Sequence, residues 1–318
     1  MVSSQGFADA FADPRLGSNE TLDRIGSLVD WSAVERLAME VRPGVVGRPP
    51  YAPLSMLKAL YLQAMYDLSD PGLEAALLDR VSFRRFCGWS LADSTPDETT
   101  LCRFRQAAAE AGVMRRVFEA VNAQLEARQL ILKRGTLMDA TLVAARHNRP
   151  KMKDGPGAGV AREPDANWTR KNGKYHFGYK IHIGMDQGSG LVRSAVMTGA
   201  KTSDIEMAER LIMGDEKAVY GDKAYSKKAL NSALKARGAK ARIAYRRHKS
   251  EAVLRRWKKR RNDLIAKIRA PVEGIFSQAK RFYGLARARC HTLACNQARV
   301  LAALTMLNLK RASKLTYA

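Results

Sequence analysis

The spacing of hydrophobic residues changes character once along this chain, close to Ile131. Residues 54–130 carry apolar side chains three and four positions apart, which predicts helices. Residues 135–244 carry short apolar or alternating runs bounded by turn residues, which predicts strands interrupted by helices. A second helical pattern runs from 251 to 310. The pattern therefore predicts an all-α module followed by an α/β domain.

Three segments follow from this pattern: an arm and linker at 1–53, a helical module at 54–130 and an α/β domain at 131–318. Within the first segment, residues 22–41 show a weaker helical spacing typical of a short helical pair. Residues 42–53 contain four prolines and predict a linker.

Two helix starts in the helical module have clear sequence signals. Asp70 followed by Pro71 predicts an N-cap and a first helical residue. Thr95 followed by Pro, Asp and Glu98 predicts a capping box. The helix after Thr95 has an apolar face and an opposite polar face that includes Thr99 and Arg103. That division suits the groove-reading helix of a helix-turn-helix, although a solvated surface helix shows the same division.

The α/β domain has a recognisable order of elements. Strands are predicted at 135–144, 175–185, 191–197, 217–220 and 239–244. Helices are predicted at 202–213, 226–237, 251–268, 271–283 and 294–310, and 146–174 is predicted as a long mobile loop. Three antiparallel strands followed by helix, strand, helix, strand and helix is the order of the ribonuclease H-like fold, in which a mixed five-stranded sheet carries helices on its faces.

Three acidic residues lie in settings that call for a cation. Asp139 interrupts the apolar strand 135–144, Asp222 follows the apolar strand 217–220, and Glu273 lies in a basic helical segment. A buried carboxylate costs several kcal/mol unless a cation meets it. Three carboxylates brought together also repel one another, so a bound divalent ion is the usual reason that a fold tolerates them. The pattern predicts a metal-dependent acid triad.

The composition points to a polyanionic partner. The chain has 318 residues, of which 46% are hydrophobic, and a net charge of +24, with a mean hydropathy of −0.32 and a pI near 10.2. DNA or RNA is the commonest polyanion, and a membrane surface is the competing one. An apolar run of membrane-spanning length and a secretory signal are both lacking. We therefore expect a cytoplasmic protein associated with the nucleoid through DNA.

The four cysteines, Cys87, Cys102, Cys290 and Cys295, do not form a disulfide framework by number or spacing. Reduced thiols are expected. Cys290, His291 and Cys295 are close in sequence, but no second ligand pair supports zinc.

Several segments of the chain resemble the DDE transposases of bacterial insertion sequences, in particular family five of that nomenclature. The resemblance covers about residues 48–308 and is carried by LMDATLVAA, HFGYKIHIGMD, YGDKAYS and RAPVEGIFSQAKRFYGLARAR. The last-acid signature of that group has Tyr, Arg, Glu and Lys at fixed spacing. Arg269, Glu273 and Lys280 match it, whereas Ala266 stands at the tyrosine position. Pro271 is expected to begin a new helix with Glu273 in its first turn.

The resemblance implies a DNA transposase that uses two Mg²⁺ or Mn²⁺ ions. Two ions about 3.5–4 Å apart activate the attacking oxygen and stabilise the leaving oxygen of a phosphodiester. The hypothesis is that Asp139 bridges both ions, Asp222 holds one and Glu273 the other. The family's activity implies binding of terminal inverted repeats, cleavage of the ends, and attack of the freed 3′-hydroxyl on target DNA. Two paired ends favour a homodimer.

Cationic, aromatic and hydroxyl side chains near these acids and in two predicted helices are candidate DNA contacts. The basic run 246–261 is interpreted as a helix from Glu251 with Val253, Leu254 and Trp257 facing inward and arginines facing DNA. The candidates are Thr99, Arg103, His176, Lys180, Lys223, Tyr225, Arg255, Arg256, Arg269, Lys280, Arg281 and Arg287.

Other readings of these residues remain open. Asp139 also fits a buried partner of an arginine, Asp222 a helix cap, and Glu273 an ordinary first-turn acid. A DNA-binding regulator or domesticated relative without catalysis is the alternative function, and a nuclease or resolvase of the same fold is a third. Cleavage and joining assays separate the three.

Overall fold

The computed structural model describes residues 15–41, 51–147, 163–171, 173–247, 251 and 253–316. The chain divides into two compact units. The first contains the described residues up to Ala127 together with 282–284 and those from 297 onward. The second contains 128–281 and 285–296. The end of the chain, which was predicted to belong with 131–296, is therefore part of the first unit.

Helices build the first unit. Its described helices are α1 Glu20–Leu28, α2 Trp31–Ala38, α3 Pro53–Met65, α4 Asp70–Asp79, α5 Val81–Cys87, α6 Glu98–Glu110 and α7 Val113–Ala127. The helices α1 and α2 are the pair expected within 22–41, whereas linker residues 42–50 lie outside the described part of the chain. The last helix, α11 Leu293–Thr316, enters this unit at residue 297. Asn308 on it donates a hydrogen bond of 3.0 Å to buried Asn122.

Two predicted helix starts are wrong by one or two residues. Ser69 caps α4, and its hydroxyl accepts a backbone N–H of the first turn at 3.1 Å. Asp70 is instead paired with Arg105, with 2.7 Å between Oδ2 and Nη2. For α6 the cap is Asp97 and not Thr95. Several neighbouring polar residues have side chains able to cap, so the contacts of each side chain decide which one does.

The second unit is built on a mixed six-stranded sheet. Its strands are β1 Thr136–Ala144, β2 Asn167–Lys171, β3 Lys174–Asp186, β4 Val192–Gly199, β5 Ala218–Gly221 and β6 Lys240–Ile243. The path runs β2-β3-β1-β5-β6, and β4 also pairs with β3. Pairs β1/β3 and β3/β4 are antiparallel, whereas β1/β5 and β5/β6 are parallel. Apart from β2, this is the ribonuclease H-like arrangement that the order of elements predicted.

Residues 146–174 were predicted to form a loop, and this is wrong for the part that forms strand β2. It lies end to end with β4 along one edge of β3, because Gly178 pairs with Asn167 while Tyr179 pairs with Gly199. Gly178 is required where β1 passes. Its φ is +150°, and an added Cβ would lie 2.2 Å from the carbonyl oxygen of Val143. Residues 148–162 of the predicted loop lie outside the described part.

Helices cover both faces of this sheet. Alternation along β1 directs Met138 to one face and Asp139 to the other. On the Met138 side the core contains Val219, Leu234 and Ile243, with α8 Ala208–Leu211 and α9 Lys228–Ala236. On the Asp139 side lies α10 Arg256–Phe282, because Arg269 on that helix contacts Asp139. The site is therefore sandwiched between β1 and α10.

Helix α10 is one continuous helix, which overturns the predicted break at Pro271. Proline lies in its interior, and buried Ile265, Val272 and Phe276 hold the helix to the unit on both sides of it. The predicted start at Glu251 is also wrong, because α10 begins at Arg256. Val253 and Trp257, predicted to face inward, are 77% and 53% exposed. Trp257 meets Tyr245 edge-on instead of entering the core.

Cys290 and Cys295 form a disulfide, so the expectation of reduced thiols is wrong for this pair. Asn296 explains their approach. Its carboxamide accepts the backbone N–H groups of Arg289 and Cys290 and donates to the carbonyl of Thr292. These bonds close a tight loop in which the two Cα atoms are 5.8 Å apart.

None of the helices in the described ranges has the length and apolar character needed to cross a membrane.

We expect Pro271→Ala to stabilise the second unit. Proline inside a helix loses one backbone hydrogen bond and crowds the preceding turn, at a cost of up to about 3 kcal/mol. Alanine at this exposed position should therefore raise the free energy of unfolding by about 1–3 kcal/mol, measured by calorimetry or urea denaturation.

Ala270→Gly is the control, because it weakens the same turn without touching the proline and should lower stability. Unchanged or lower stability in Pro271→Ala would mean that the proline starts a helix, where it is favourable.

Candidate active site

The parallel pairing of β1 and β5 aligns two of the three predicted acids. Leu137 on β1 pairs with Tyr220 on β5. Two residues further along each strand stand Asp139 and Asp222, at the same level of the sheet. Strand β5 ends at Gly221, so nothing from it covers the edge of β1 at Asp139. Because parallel strands run in step, this register fixes the two carboxylates beside each other.

Asp139 is held between an arginine and its own backbone. Its Oδ2 lies 3.1 Å from Nη2 of Arg269, and its Oδ1 accepts the N–H of Ala140 at 2.8 Å. The side chain is 23% exposed. Burial raises the pKa of Asp139 above its ordinary value, and the nearby negative charge of Asp222 raises it further, against the opposing effect of Arg269. Asp139 is therefore paired with an arginine, as the alternative interpretation of this residue predicted.

Asp222 caps the short 3₁₀ turn Lys223–Tyr225. Its Oδ1 accepts the backbone N–H of Ala224 at 2.8 Å. The carboxylate is near enough to Asp139 for its charge to raise the pKa of that residue. The capping role is compatible with a role as a ligand, because a carboxylate has four lone-pair sites and the cap uses one.

Glu273 does not join the other two acids in this structure. It is exposed on α10, one helical turn after Arg269. Within the ranges that the structure describes, no three His, Cys, Asp or Glu side chains are close enough to hold a metal ion. The predicted convergence of all three acids is therefore not seen. Asp139 and Asp222 are hard oxygen donors in register, and these two fit a divalent cation.

A fourth acid, Asp204, adds to the negative charge of the site, and sequence reasoning missed it. Its charge, with those of Asp139 and Asp222, acts on the phenol of Tyr225. Burial and these carboxylates raise the pKa of Tyr225 far above its ordinary value. The Tyr225 hydroxyl is buried and makes no hydrogen bond within the described part of the chain. By sequence, Asp204 lies at the start of the helix predicted at 202–213, and nothing local relates it to Asp139.

Comparison with known families identifies the family to which this chain belongs. The family model described as "Transposase DDE domain" matches residues 131–309. The model described as "Transposase domain (DUF772)" matches residues 11–107. This chain belongs to the DDE transposase family. It is therefore an enzyme of the class that cuts and joins DNA with divalent metal ions.

One solved structure resembles the chain distantly. The cryo-EM structure of the piggyBac transposase synaptic complex with hairpin DNA aligns over 95% of this chain and 74% of that one, with 11% identity and a TM-score of 0.44. A similarity at that level adds nothing to the assignment, which rests on the family match.

The other candidate contacts of this transposase fall into two groups. Lys180 is only partly exposed and is paired with Asp204, and Tyr225 is buried. Lys180 donates to Asp204 at 3.0 Å and to the carbonyl of Thr202 at 2.8 Å, and Tyr225 is 1% exposed. Both side chains were assigned from sequence position alone, which does not reveal burial. Exposed side chains are found at Thr99, Arg103, His176, Lys223, Arg255, Arg256, Arg281 and Arg287.

Arg269 and Lys280 lie on α10 at spacings that the family signature predicts. Nε of Arg269 is buried and has no hydrogen-bond partner within the described residues. Lys280 is half-buried, and burial, followed by the positive charge of Lys171, lowers the pKa of its ammonium group. Asp139 neutralises Arg269, whereas Lys280 is paired with no carboxylate among the described residues, which suits an anionic ligand.

His182 is a buried neutral histidine on β3. Its Nε2 lies 3.0 Å from Oγ1 of Thr198, and its Nδ1 makes no hydrogen bond within the described part. Burial lowers its pKa from 6.5 to about 4, with Asp204 opposing and Lys180 contributing. A depressed pKa stabilises the fold above the unfolded value of 6.5, and that contribution is lost as the pH falls toward 4.

We expect His182→Gln to make the stability of the transposase less sensitive to acid. The variant has no imidazole to protonate between pH 6.5 and about 4. Its Tm should therefore fall less than that of the wild type between about pH 7.5 and about pH 4.5. Differential scanning fluorimetry at the two pH values measures the Tm of each protein.

His176→Gln is the matched control, because His176 lies on the same strand and is exposed. It should keep the acid sensitivity of the wild type. Equal acid sensitivity in wild type and His182→Gln would show that His182 is not the group that titrates.

Proposed function

We propose that this transposase binds the terminal inverted repeats of its own insertion sequence, cleaves the DNA ends and joins the freed 3′-hydroxyl to target DNA. The supporting observation is the register that sets Asp139 beside Asp222 at the open edge of β1, inside a chain that matches the DDE family. A resemblance to family five of the bacterial insertion sequences agrees with this proposal.

Asp139 and Asp222 would hold a divalent cation, Mg²⁺ or Mn²⁺. Such an ion, when bound, activates the attacking oxygen and stabilises the leaving oxygen of a phosphodiester. Glu273 is proposed as the third acid, with two ions bound in all. Its place on α10 supports this, because it stands four residues after Arg269 and so shares the helix face that reaches Asp139.

The chain itself supplies the orientation of the acids and the contacts to phosphate. Arg269 holds Asp139 in one rotamer through the ion pair of 3.1 Å. Arg269, whose side chain is 14% exposed, and the half-buried Lys280 are proposed to contact the scissile phosphate. A guanidinium serves this purpose well, because it can donate to a carboxylate and to a phosphate at the same time.

The basic surface would position the duplex without reading its sequence. Arg255 and Arg256 at the start of α10 are exposed, as are Arg281 and Arg287. In the first unit, Thr99 and Arg103 on α6 are exposed and are proposed to contact DNA. We further propose a homodimer on paired ends, since two equivalent ends favour two-fold symmetry.

Asp139→Asn, Asp222→Asn and Glu273→Gln should each abolish cleavage of terminal-repeat DNA. Loss of an acid that holds a catalytic cation removes several kcal/mol of transition-state stabilisation, or about a thousandfold in rate. Binding of the same DNA should change little. A nicking assay with Mg²⁺ or Mn²⁺, combined with fluorescence anisotropy in EDTA, measures the two properties separately.

Asp263→Asn is the control, because Asp263 is an exposed acid on the same helix as Glu273. It should cleave like the wild type. Tight binding without any cleavage by the wild type would favour the non-catalytic regulator, and cleavage without joined product would favour a nuclease. Normal cleavage by Glu273→Gln would remove that residue from the site.

DNA binding should weaken steeply with salt. The exposed arginines on α10 and after it would neutralise backbone phosphates, and log K falls by about 0.9 per log unit of salt for each phosphate neutralised. Arg255→Gln with Arg256→Gln should reduce this slope by about 1–2. Anisotropy titrations over a range of potassium chloride give the slope.

Lys240→Gln with Arg242→Gln, on β6, removes the same charge elsewhere in the second unit and serves as the comparison. A slope near zero for the wild type, or an equal change in both double variants, would rule out a backbone-contacting role for the start of α10.

A further inference from the structure

A cavity of about 210 Å³ lies along β1 in the second unit, where Ala140, Thr141 and Leu142 follow Asp139. The residues immediately after Asp139 on β1 form one wall, and the end of β2 forms another. The polar side chains that line the cavity are Thr141, Thr169, Arg170, Lys171, Lys180 and Asp204. The sequence pattern predicted a loop in place of β2, so it did not predict this cavity.

The charges that line the cavity are unbalanced. Arg170, Lys171 and Lys180 carry three positive charges, and Asp204 carries one negative charge. Lys180 already neutralises Asp204 through an ion pair of 3.0 Å. Arg170 and Lys171 are exposed and form no ion pair with a carboxylate among the described residues. Two cationic side chains are therefore left facing the cavity without a protein anion.

The positive charge that lines the cavity is also close to groups of the active site. Lys171 is close enough to Asp139 and to Lys280 to influence both electrostatically. Two ammonium groups held near each other on separate elements repel, and an anion between them removes that cost. The hydroxyls of Thr141 and Thr169 add hydrogen-bond donors of the kind that contact phosphate oxygens.

We propose that this cavity binds a backbone phosphate of the DNA strand that enters the active site, with Arg170 and Lys171 as its principal contacts and Thr141 and Thr169 as donors. The proposal rests on the function proposed above and deepens it, because it adds a phosphate subsite on the strand that carries Asp139. Lys180 and Asp204 form a fixed wall of the subsite, and Lys180 is a positioning residue through its contact with Asp204.

Arg170→Gln with Lys171→Gln tests the subsite in the full-length protein. Loss of one phosphate contact should lower the slope of log K against log salt by about 0.9, which corresponds to about eightfold weaker binding near 0.1 M salt. The probe is a labelled duplex of about 20 base pairs, titrated in EDTA so that no cleavage occurs. Both positions are exposed, so the variant should keep the wild-type Tm.

The matched control is Lys235→Gln with Arg237→Gln, which removes the same charge at the far end of the sheet. These exposed residues end α9, just before β6 begins opposite the start of β5, whereas Asp222 follows the end of β5. The control should change affinity by less than about twofold. Equal losses in the two double variants, or no loss in Arg170→Gln with Lys171→Gln, would overturn the subsite.

The test separates this proposal from the proposed function. Binding in EDTA reports on the subsite alone, whereas nicking with Mg²⁺ reports on the acids. A subsite-specific loss of affinity in a wild type that never cleaves would uphold the subsite and reject the catalytic proposal. Normal cleavage by the wild type, with equal losses of affinity in both double variants, would uphold the catalytic proposal and reject the subsite.

Discussion

The parallel pairing of β1 with β5 is the constraint on which the rest of the site depends. The pairing of Leu137 with Tyr220 places Asp139 and Asp222 at the same level of the sheet. The two carboxylates therefore repel each other in any folded state that keeps this register. A fold retains such a cost only when a cation offsets it, and in this structure Arg269 supplies part of that compensation to Asp139.

Helix α10 gives the site its second rigid component. Because the helix continues through Pro271, Arg269, Glu273 and Lys280 are carried by one body with spacings of four and seven residues. A break at Pro271 would have separated Arg269 from the other two. In the continuous helix, the contact between Arg269 and Asp139 fixes the whole face against β1, and Glu273 lies one turn beyond it. The ion pair, together with the buried Ile265, Val272 and Phe276, therefore sets where Glu273 lies.

At this edge of the sheet, positively charged side chains lie close to a small group of acids. Asp139 lies within β1 and Asp222 follows the end of β5, and cationic side chains come near them from β2, β3 and α10. Some of these cations are committed to protein partners, as Lys180 is to Asp204. Others, such as Lys171 and Lys280, lie near like charges, which favours an anionic ligand. A DNA strand, whose phosphates are anionic, is the ligand proposed for this edge.

The amino-acid sequence by itself determined the order of elements, the five strands of the ribonuclease H-like arrangement and the identity of Asp139 and Asp222 as the acids of the sheet. Those features are encoded locally, in the period of apolar residues and in short motifs around each acid. It did not determine that Arg269 pairs with Asp139, that Asp204 lies near Tyr225, that Tyr225 is buried, or that β2 lines a cavity. Nor did it show that Pro271 lies inside a helix or that Cys290 pairs with Cys295. Each of these depends on contacts between distant segments or on packing that outweighs a local preference, and only the tertiary structure decides such contacts.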